Sequence, residues 1–482
     1  MFTPDDAPKV LTEEQLDTIH EQALTILEDV GMDILWDPAL ELLGAEGNKV
    51  EGTRVRFDRA WLMEMVAKAP TTFSVRPRNP ENEIMVGDGS LVLLPVGGSP
   101  FVSDLDRGRR SGTIADHDEL IKLAHATDII TCLQSATVEA QDLPVMTRHM
   151  DMDYSILRNS DKAYVAYGGT GYKVRDSIEM AAIACGGRAA IEEIPGTMVV
   201  INPISPLVWD ERMSDALIAT AEANQGLIVT PFLLAGATAP VSISGSLSIQ
   251  VAEALSGTAI AQAVRPGTPC MYGSFFTPLD MRTGAPAFGL PQGVLGTLAG
   301  AQLSRRYGLP YRGGGALASG NAVDGQAASE SANSLWATFL AASDFVLHAA
   351  GWLEGGLTAS FEKFALDVEM CREFLKTKEG IGFTDEELAL DEIEHMGPAG
   401  MYLESAHTMG HFREWLYMSP LFTTPDFNTW QAMGEEGLDR RANAMWKQIL
   451  ESYEDPGIDD AVDEELREFI AKRKEETVDD DE

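Results

Sequence analysis

Eight short, nearly continuous apolar runs recur through the middle of this chain at intervals of roughly 30–45 residues. They occupy residues 91–96, 129–133, 163–167, 198–201, 227–232, 270–275, 309–311 and 345–349. Most are too short for helices, and they alternate with helix-like stretches at 118–127, 174–185, 211–224, 249–264, 292–307 and 326–342. Apolar strands buried on both faces and separated by helices form a parallel sheet, because the crossover helices cover both of its sides. Eight such units favour closure over an open doubly wound sheet, so the expected fold is α/β, a (β/α)8 TIM barrel over residues 91–375. Small and polar residues follow nearly every run: Gly97-Gly98-Ser99, Gln134-Ser135, Gly168-Gly169-Thr170, Asn202-Pro203, Gly273-Ser274, Gly313-Gly314-Gly315 and Gly351-Trp352. Each glycine alone reads as a turn former. Together they describe an open mouth at the strand ends, where barrel enzymes place their sites.

The flanks carry a different pattern. Thr12 and Gln15 are spaced as a capping box, and Leu16, Ile19, Ala23, Ile26, Leu27 and Val30 follow as one helical stripe that Gly31 stops. Residues 1–90 read as a helical and mixed N-terminal layer. Residues 376–474 read as a helical extension, with a second capping box at Thr384 and Glu387, helices near 401–416, 440–453 and 464–472, and a loop over 420–428. The charge run 475–482 is expected to be a disordered acidic tail.

Composition excludes several classes. Apolar residues make up 45% of the 482, enough for a real core. The net charge of −39 leaves no basic stripe to offset phosphate repulsion, so nucleic acid is not an expected partner. The most apolar stretch, 227–243, is interrupted by Thr230, Pro231, Gly236 and Pro240, which argues against a membrane span. The chain opens on acid and proline rather than a basic leader, and the expected location is the cytoplasm. Cys132, Cys185, Cys270 and Cys371 are far apart with no CxxC, which points to free thiols rather than disulfides or a thiolate metal site.

GxSxG, HExxH and GxxxxGK[ST] motifs are absent. Arg107, Arg109 and Arg110 cluster after the first run, either to bind an anion or to pair with nearby aspartates. A turn-rich loop spans 280–289, with Phe275 and Phe276 leading into it. The end of the eighth run is the densest point, with His348, Trp352 and Glu354 in seven residues and Phe361 and Glu362 just beyond. His348 reads either as a satisfied core histidine or as a ligand-facing ring at the mouth. His407 and His411 have metal-compatible spacing but no third ligand nearby in sequence, so a surface role is expected and no metal site.

The loops 101–113 and 280–289, the Leu353-Glu354-Gly355-Gly356-Leu357-Thr358 turn and the segment 407–430 resemble the trimethylamine methyltransferase family, in the family's order, over about residues 12–472. The resemblance implies a TIM barrel whose mouth takes a methylated amine and is then covered by a separate corrinoid protein, with cob(I)alamin or a protein-held corrinoid as methyl acceptor. Archaeal trimethylamine members carry pyrrolysine in a loop similar to 314–326. The match of Asp324-Gly325-Gln326 puts ordinary residues at 316–318, with Leu317 at the equivalent position. The chain therefore resembles the branch without pyrrolysine, which acts on quaternary amines: glycine betaine first, with proline betaine, carnitine and γ-butyrobetaine as alternatives. Trimethylamine, a methylated sulfur compound and a binding protein without turnover remain the competing readings. On this reading Trp352, Phe276, Tyr167 and Phe232 hold the trimethylammonium head by cation–π contact. Glu354 supplies countercharge, and His348, Arg312 or backbone N–H groups take a carboxylate. His348 and Glu354 are the expected catalytic pair, and a homo-oligomer is expected.

Overall fold

The computed structural model describes residues 3–4 and 6–479. Each of the eight apolar runs contains or overlaps one strand: β1 Val92–Pro95, β2 Cys132–Gln134, β3 Ala163–Val165, β4 Met198–Ile201, β5 Gly226–Val229, β6 Cys270–Gly273, β7 Tyr311–Gly313 and β8 Phe345–Ala350. All are parallel, in the order β1-β8-β7-β6-β5-β4-β3-β2. The Thr131 N–H donates to Leu93 O at 3.2 Å and draws the two ends of the sheet together. One helix follows each strand: α1 Ile114–Ala126, α2 Arg148–Asn159, α3 Gly171–Ala184, α4 Glu211–Glu222, α5 Ile243–Val264, α6 Pro291–Arg306, α7 Gly325–Leu340 and α8 Phe361–Glu379. The chain is a (β/α)8 barrel.

Strand alternation sorts the core into two. Leu93, Leu133, Tyr164, Val199, Leu227, Tyr272, Tyr311 and Val346 face the helices. Their sequence neighbours Val92, Leu94, Cys132, Val165, Met198, Ile228, Met271 and Phe345 fill the barrel interior as a separate cluster. A hairpin of Phe73–Val75 with Ile84–Val86 adds Phe73, Val75, Ile84 and Val86 to that cluster. The Arg76 N–H bonds Pro195 O just ahead of β4, and Phe73 lies against Gly226 at the start of β5. The hairpin therefore stoppers the N-terminal end of the barrel.

The N-terminal helix Glu13–Thr25 forms the expected capping box at Thr12 and lies on α5, where Ser248 Oγ donates to Gln22 Oε1 at 3.1 Å. Covered on both sides, α5 is buried on nearly all its faces. After α8 come short helices at Asp385–Leu388, Leu390–Met396, Ala406–Trp415 and Phe427–Ala432. The expected loop through 428 ends early because the Asp426 carboxylate caps a helix from Phe427. Helix Leu438–Glu451 seats Trp446 on Phe361 of α8, ring centroids 4.7 Å apart. The last helix, Asp460–Asp479, lies on α2 and α3, where Arg473 pairs with Asp176 at 2.8 Å and Lys474 with Asp151 at 2.6 Å. This corrects the expected acidic tail: residues 475–479 are helical, held from the preceding turn, and 480–482 lie outside the described residues. Among the described residues no helix is long and apolar enough to cross a membrane.

Candidate active site

The C-terminal ends of the strands depart from regularity where side chains converge. After a break, β5 and β6 continue as a second parallel pair, Phe232–Ala235 with Phe275–Pro278, in register Phe232 to Phe275. These two rings stand 4.8 Å apart. Strand β8 shifts register between Val346 and Ala350, and His348 lies inside the shift at φ 70°. Such a conformation costs a non-glycine residue about 1–3 kcal/mol and persists only when its surroundings over-determine it. Here they do. Ala316 N–H donates to His348 O at 2.9 Å, and a Cβ on Gly315 would stand 2.0 Å from that oxygen, so only glycine fits. Gly97 N–H donates to His348 Nδ1 at 3.1 Å. Nδ1 is thus an acceptor, and the ring's proton sits on Nε2. Burial, with the Arg312 charge added, holds the His348 pKa well below its usual value, so the ring is neutral at pH 7.

Four aromatic rings gather around this histidine. Trp352 is 4.3 Å from His348 and Phe275 is 5.9 Å away. Phe275 meets Trp352 edge-on at 5.9 Å, and Phe288 meets both at 5.6 Å. Phe232 closes the row behind Phe275. The Arg312 guanidinium lies over the Phe275 ring at 5.0 Å. Arg312 is buried and donates from Nη1 to Ser274 O at 3.3 Å. Among the described residues no carboxylate pairs with it, and its Nε has no partner. Burial pulls its pKa down to about 10. A buried cation without a counter-anion is costly unless a ligand supplies one. Three more buried polar atoms at the strand ends lack partners: Gln134 Oε1, Thr230 Oγ1 and Trp352 Nε1. Unsatisfied groups are rare in folded cores, and four at one mouth fit a ligand.

The loops that carry these groups are tied down from behind. Gly351 N–H donates to Asp367 on α8 at 2.9 Å, and Lys363 of α8 bonds both Asp367 and Ser331 Oγ. Burial pushes the Asp367 carboxyl up and the Lys363 amine down. The ion pair anchors the Gly351 turn, and so the position of Trp352.

Not every expected residue joins the cluster. Phe276 faces away: alternation turns it toward Leu233, Ala235 and α6, where a Cβ on Gly296 would meet its ring at 2.4 Å. Phe275 occupies the place expected for it. Glu354 is not free countercharge, because both its oxygens take Arg109 Nε, at 2.8 and 2.9 Å, and Thr358 adds a hydrogen bond at 3.0 Å. Tyr167 sits on the β3 side with its hydroxyl on Glu139 and Lys173 Nζ 5.3 Å from its ring centre, apart from the four rings. Leu317 is a buried side chain in the loop between β7 and α7. Of the arginine cluster, Arg107 and Arg110 pair with Asp104 and Asp116, while Arg109 reaches across to Glu354. His407 and His411 lie on a surface helix bonded to Glu386, and no group of metal-ligating side chains gathers among the described residues. All four cysteines are free. The sequence reading did not single out Phe288 or Thr230, and it placed Gln134 at the mouth only as one of the small and polar residues after the runs; Thr230, the one polar residue inside the run 227–232 before Pro231, was the available signal there.

Fold and site together define a TIM-barrel enzyme, closed at the bottom, whose mouth sets an aromatic cluster beside an unpaired guanidinium. The family model described as trimethylamine methyltransferase (MTTB) matches residues 3–478, and the chain belongs to that family of methyltransferases. It is 40% identical over 466 residues to glycine betaine methyltransferase from Desulfitobacterium hafniense (strain Y51), covering 96% of this chain and 97% of that one. It is 29% identical to L-carnitine:corrinoid methyltransferase from Eubacterium limosum, over 92% of this chain and 93% of that one. The proline betaine:corrinoid methyltransferase of the same organism is 28% identical, over 93% and 94%. The monomethylamine methyltransferase structure from Methanosarcina barkeri superposes with a TM-score of 0.55 at 9% identity, over 94% of this chain and 90% of that one, and shares the fold.

Proposed function

We propose that this chain moves one methyl group from glycine betaine to the Co(I) of a corrinoid carried by a separate protein, leaving dimethylglycine. The observation that carries the reading is Arg312, a buried guanidinium with no carboxylate partner, beside an aromatic cluster. A betaine has the two groups this mouth sorts. Its quaternary ammonium suits the faces of Phe232, Phe275, Phe288 and Trp352, and its carboxylate suits Arg312 and the His348 Nε2–H. Trimethylamine has no carboxylate and would leave Arg312 unpaired. The relatives named for glycine betaine, proline betaine and carnitine support a substrate with both groups.

The corrinoid supplies a cobalt nucleophile, and the chain's own task is placement. The methyl–nitrogen bond breaks with its electron pair returning to nitrogen, so the leaving amine is neutral and needs no proton. That fits a neutral His348 and a site without a free carboxylate. Aromatic faces hold the cation without tight ion pairing, which matters because positive charge leaves nitrogen in the transition state. His348 and Arg312 orient the carboxylate, and Glu354 orders the roof of the mouth through Arg109. Leu317 fills the loop after β7 as an ordinary apolar side chain. A cytoplasmic place accords with four free thiols.

Methylcobalamin formation, followed by its visible spectrum, tests the reading. Glycine betaine should be turned over and trimethylamine should not. Arg312→Gln should raise the KM for glycine betaine by about 100-fold, the scale of a lost buried charge-assisted pair. Equal or faster turnover of trimethylamine overturns the substrate, and betaine binding without methyl transfer overturns the enzyme.

A further inference from the structure

One rung of the barrel holds a buried hydroxyl with nothing to bond. In the register of the sheet Val229 pairs with Tyr272 and Gly273 with Arg312, so Thr230, Gly273 and Arg312 are successive neighbours across the ends of β5, β6 and β7. Ile228 and Met271, two residues back, lie in the interior cluster, and strand alternation gives Thr230 and Gly273 the same inward face. Thr230 is 2% exposed, and its Oγ1 has no partner among the described residues. A Cβ on Gly273 would stand 2.0 Å from that oxygen, so glycine is what lets the Thr230 hydroxyl lie over β6, toward the β7 side. Across the rung Arg312 repeats the pattern: its Nε, the guanidinium nitrogen nearest the backbone, also lacks a partner. Two buried donors without acceptors are costly in an empty protein, and a ligand with two adjacent acceptor oxygens satisfies both.

We propose that Thr230 is a specificity-determining residue whose hydroxyl, with Arg312 Nε, seats the substrate carboxylate over Gly273 while the ammonium points to the mouth, an inference that rests on the betaine reading of this site. Depth supplies the orientation. Phe232 and Phe275 pair two residues beyond Thr230 and Gly273, about 7 Å further along the strands toward the mouth. Phe288 and Trp352 stand against Phe275, so the aromatic layer lies above the rung. Below the rung the barrel is filled by Ile228, Met271 and Phe345, and the hairpin closes its end. A carboxylate on the rung therefore puts the quaternary nitrogen among the rings and its methyl groups on the open side, where a nucleophile must approach in line. Seated the other way, the methyl groups would face the packed floor. The seat also measures length. A betaine with a longer tether lifts its ammonium out of the aromatic layer, and a quaternary amine without a carboxylate gains nothing from Thr230.

Isothermal titration of the full chain with glycine betaine, γ-butyrobetaine and tetramethylammonium, which has no carboxylate, is the test. Thr230→Val should weaken glycine betaine binding about 10- to 100-fold, the scale of a lost hydrogen bond to a charged group, and leave tetramethylammonium binding unchanged. Thr230→Ser, which keeps the hydroxyl, should keep most of the betaine affinity. The empty Thr230→Val protein should melt at or above the wild-type midpoint, because a methyl group replaces an unpaired buried hydroxyl. Wild type should hold γ-butyrobetaine more weakly than glycine betaine. Unchanged betaine affinity in Thr230→Val, or an equal loss for glycine betaine and tetramethylammonium, overturns the proposal. A lower midpoint also overturns it, since the hydroxyl would then have a partner within the fold. γ-Butyrobetaine bound as tightly as glycine betaine overturns the orientation. A wild type that binds no betaine is a separate failure: it overturns the betaine reading itself, and the seat falls with it.

Discussion

Replacing Phe275 with alanine removes a ring that touches Phe232, Phe288, His348 and Trp352 and carries the Arg312 guanidinium. Isothermal titration should show betaine binding weakened three- to thirty-fold, the scale of one cation–π contact. Phe276→Ala, one residue on, should leave binding alone and cost about 3–5 kcal/mol of stability, because that ring is buried against α6. Equal effects of the two substitutions on affinity would contradict the placement. Which of the pair faces the mouth was not legible in the sequence: Phe275 keeps the inward parity of Met271 and Phe276 the helix-facing parity of Tyr272 across the break at Ser274, but an unbroken apolar run does not say which parity points inward. Glu354 was opaque for a different reason. Its partner Arg109 lies 245 residues away, and nothing local marks the pair. His348 and Trp352 were legible because one strand end concentrates them.

Helix α5 carries a carboxyl whose cost is set by its surroundings. Glu253 accepts from Ser205 Oγ and Leu207 N–H, both at 2.7 Å, yet burial pushes its pKa up to about 7. Between its ordinary value near 4.5 and about 7 the folded chain keeps a proton that the unfolded chain has lost. Stability on this account is full below the ordinary value and declines as pH rises through that window. Glu253→Gln keeps an oxygen for the Leu207 N–H, lets its amide donate to Ser205 Oγ instead of accepting from it, and removes the ionisation. It should stabilise the protein at pH 8 by about 1–3 kcal/mol and do little at pH 4.5, read from denaturant midpoints. Parallel pH profiles for the two proteins would contradict the assignment. At this scale the strands were easier to read than some helices. The sequence pattern missed α2 because its inward face buries His149, Asp153 and Ser155 along with Met150 and Ile156, which hides the apolar period.

Taken as a whole, the molecule was legible through spacing. Eight apolar runs at barrel intervals favour the closed sheet over an open doubly wound one, and the eight parallel strands form that nearly closed barrel. The flanking layers were less legible, since their short strands pair with partners far along the chain, as Met32–Ile34 does with Val208–Trp209. The hairpin of Phe73–Val75 and Ile84–Val86 was among the elements not anticipated, and it has a kinetic corollary. A barrel corked at one end is a cul-de-sac, so whatever enters first leaves last. On the proposed function, betaine must be seated before the methyl acceptor closes over it, and dimethylglycine waits until that cover lifts. Initial rates should therefore show a compulsory order with the amine leading. Dimethylglycine should compete with betaine for the open barrel, and excess betaine should not displace the acceptor. Random-order kinetics would mean a back door through the hairpin.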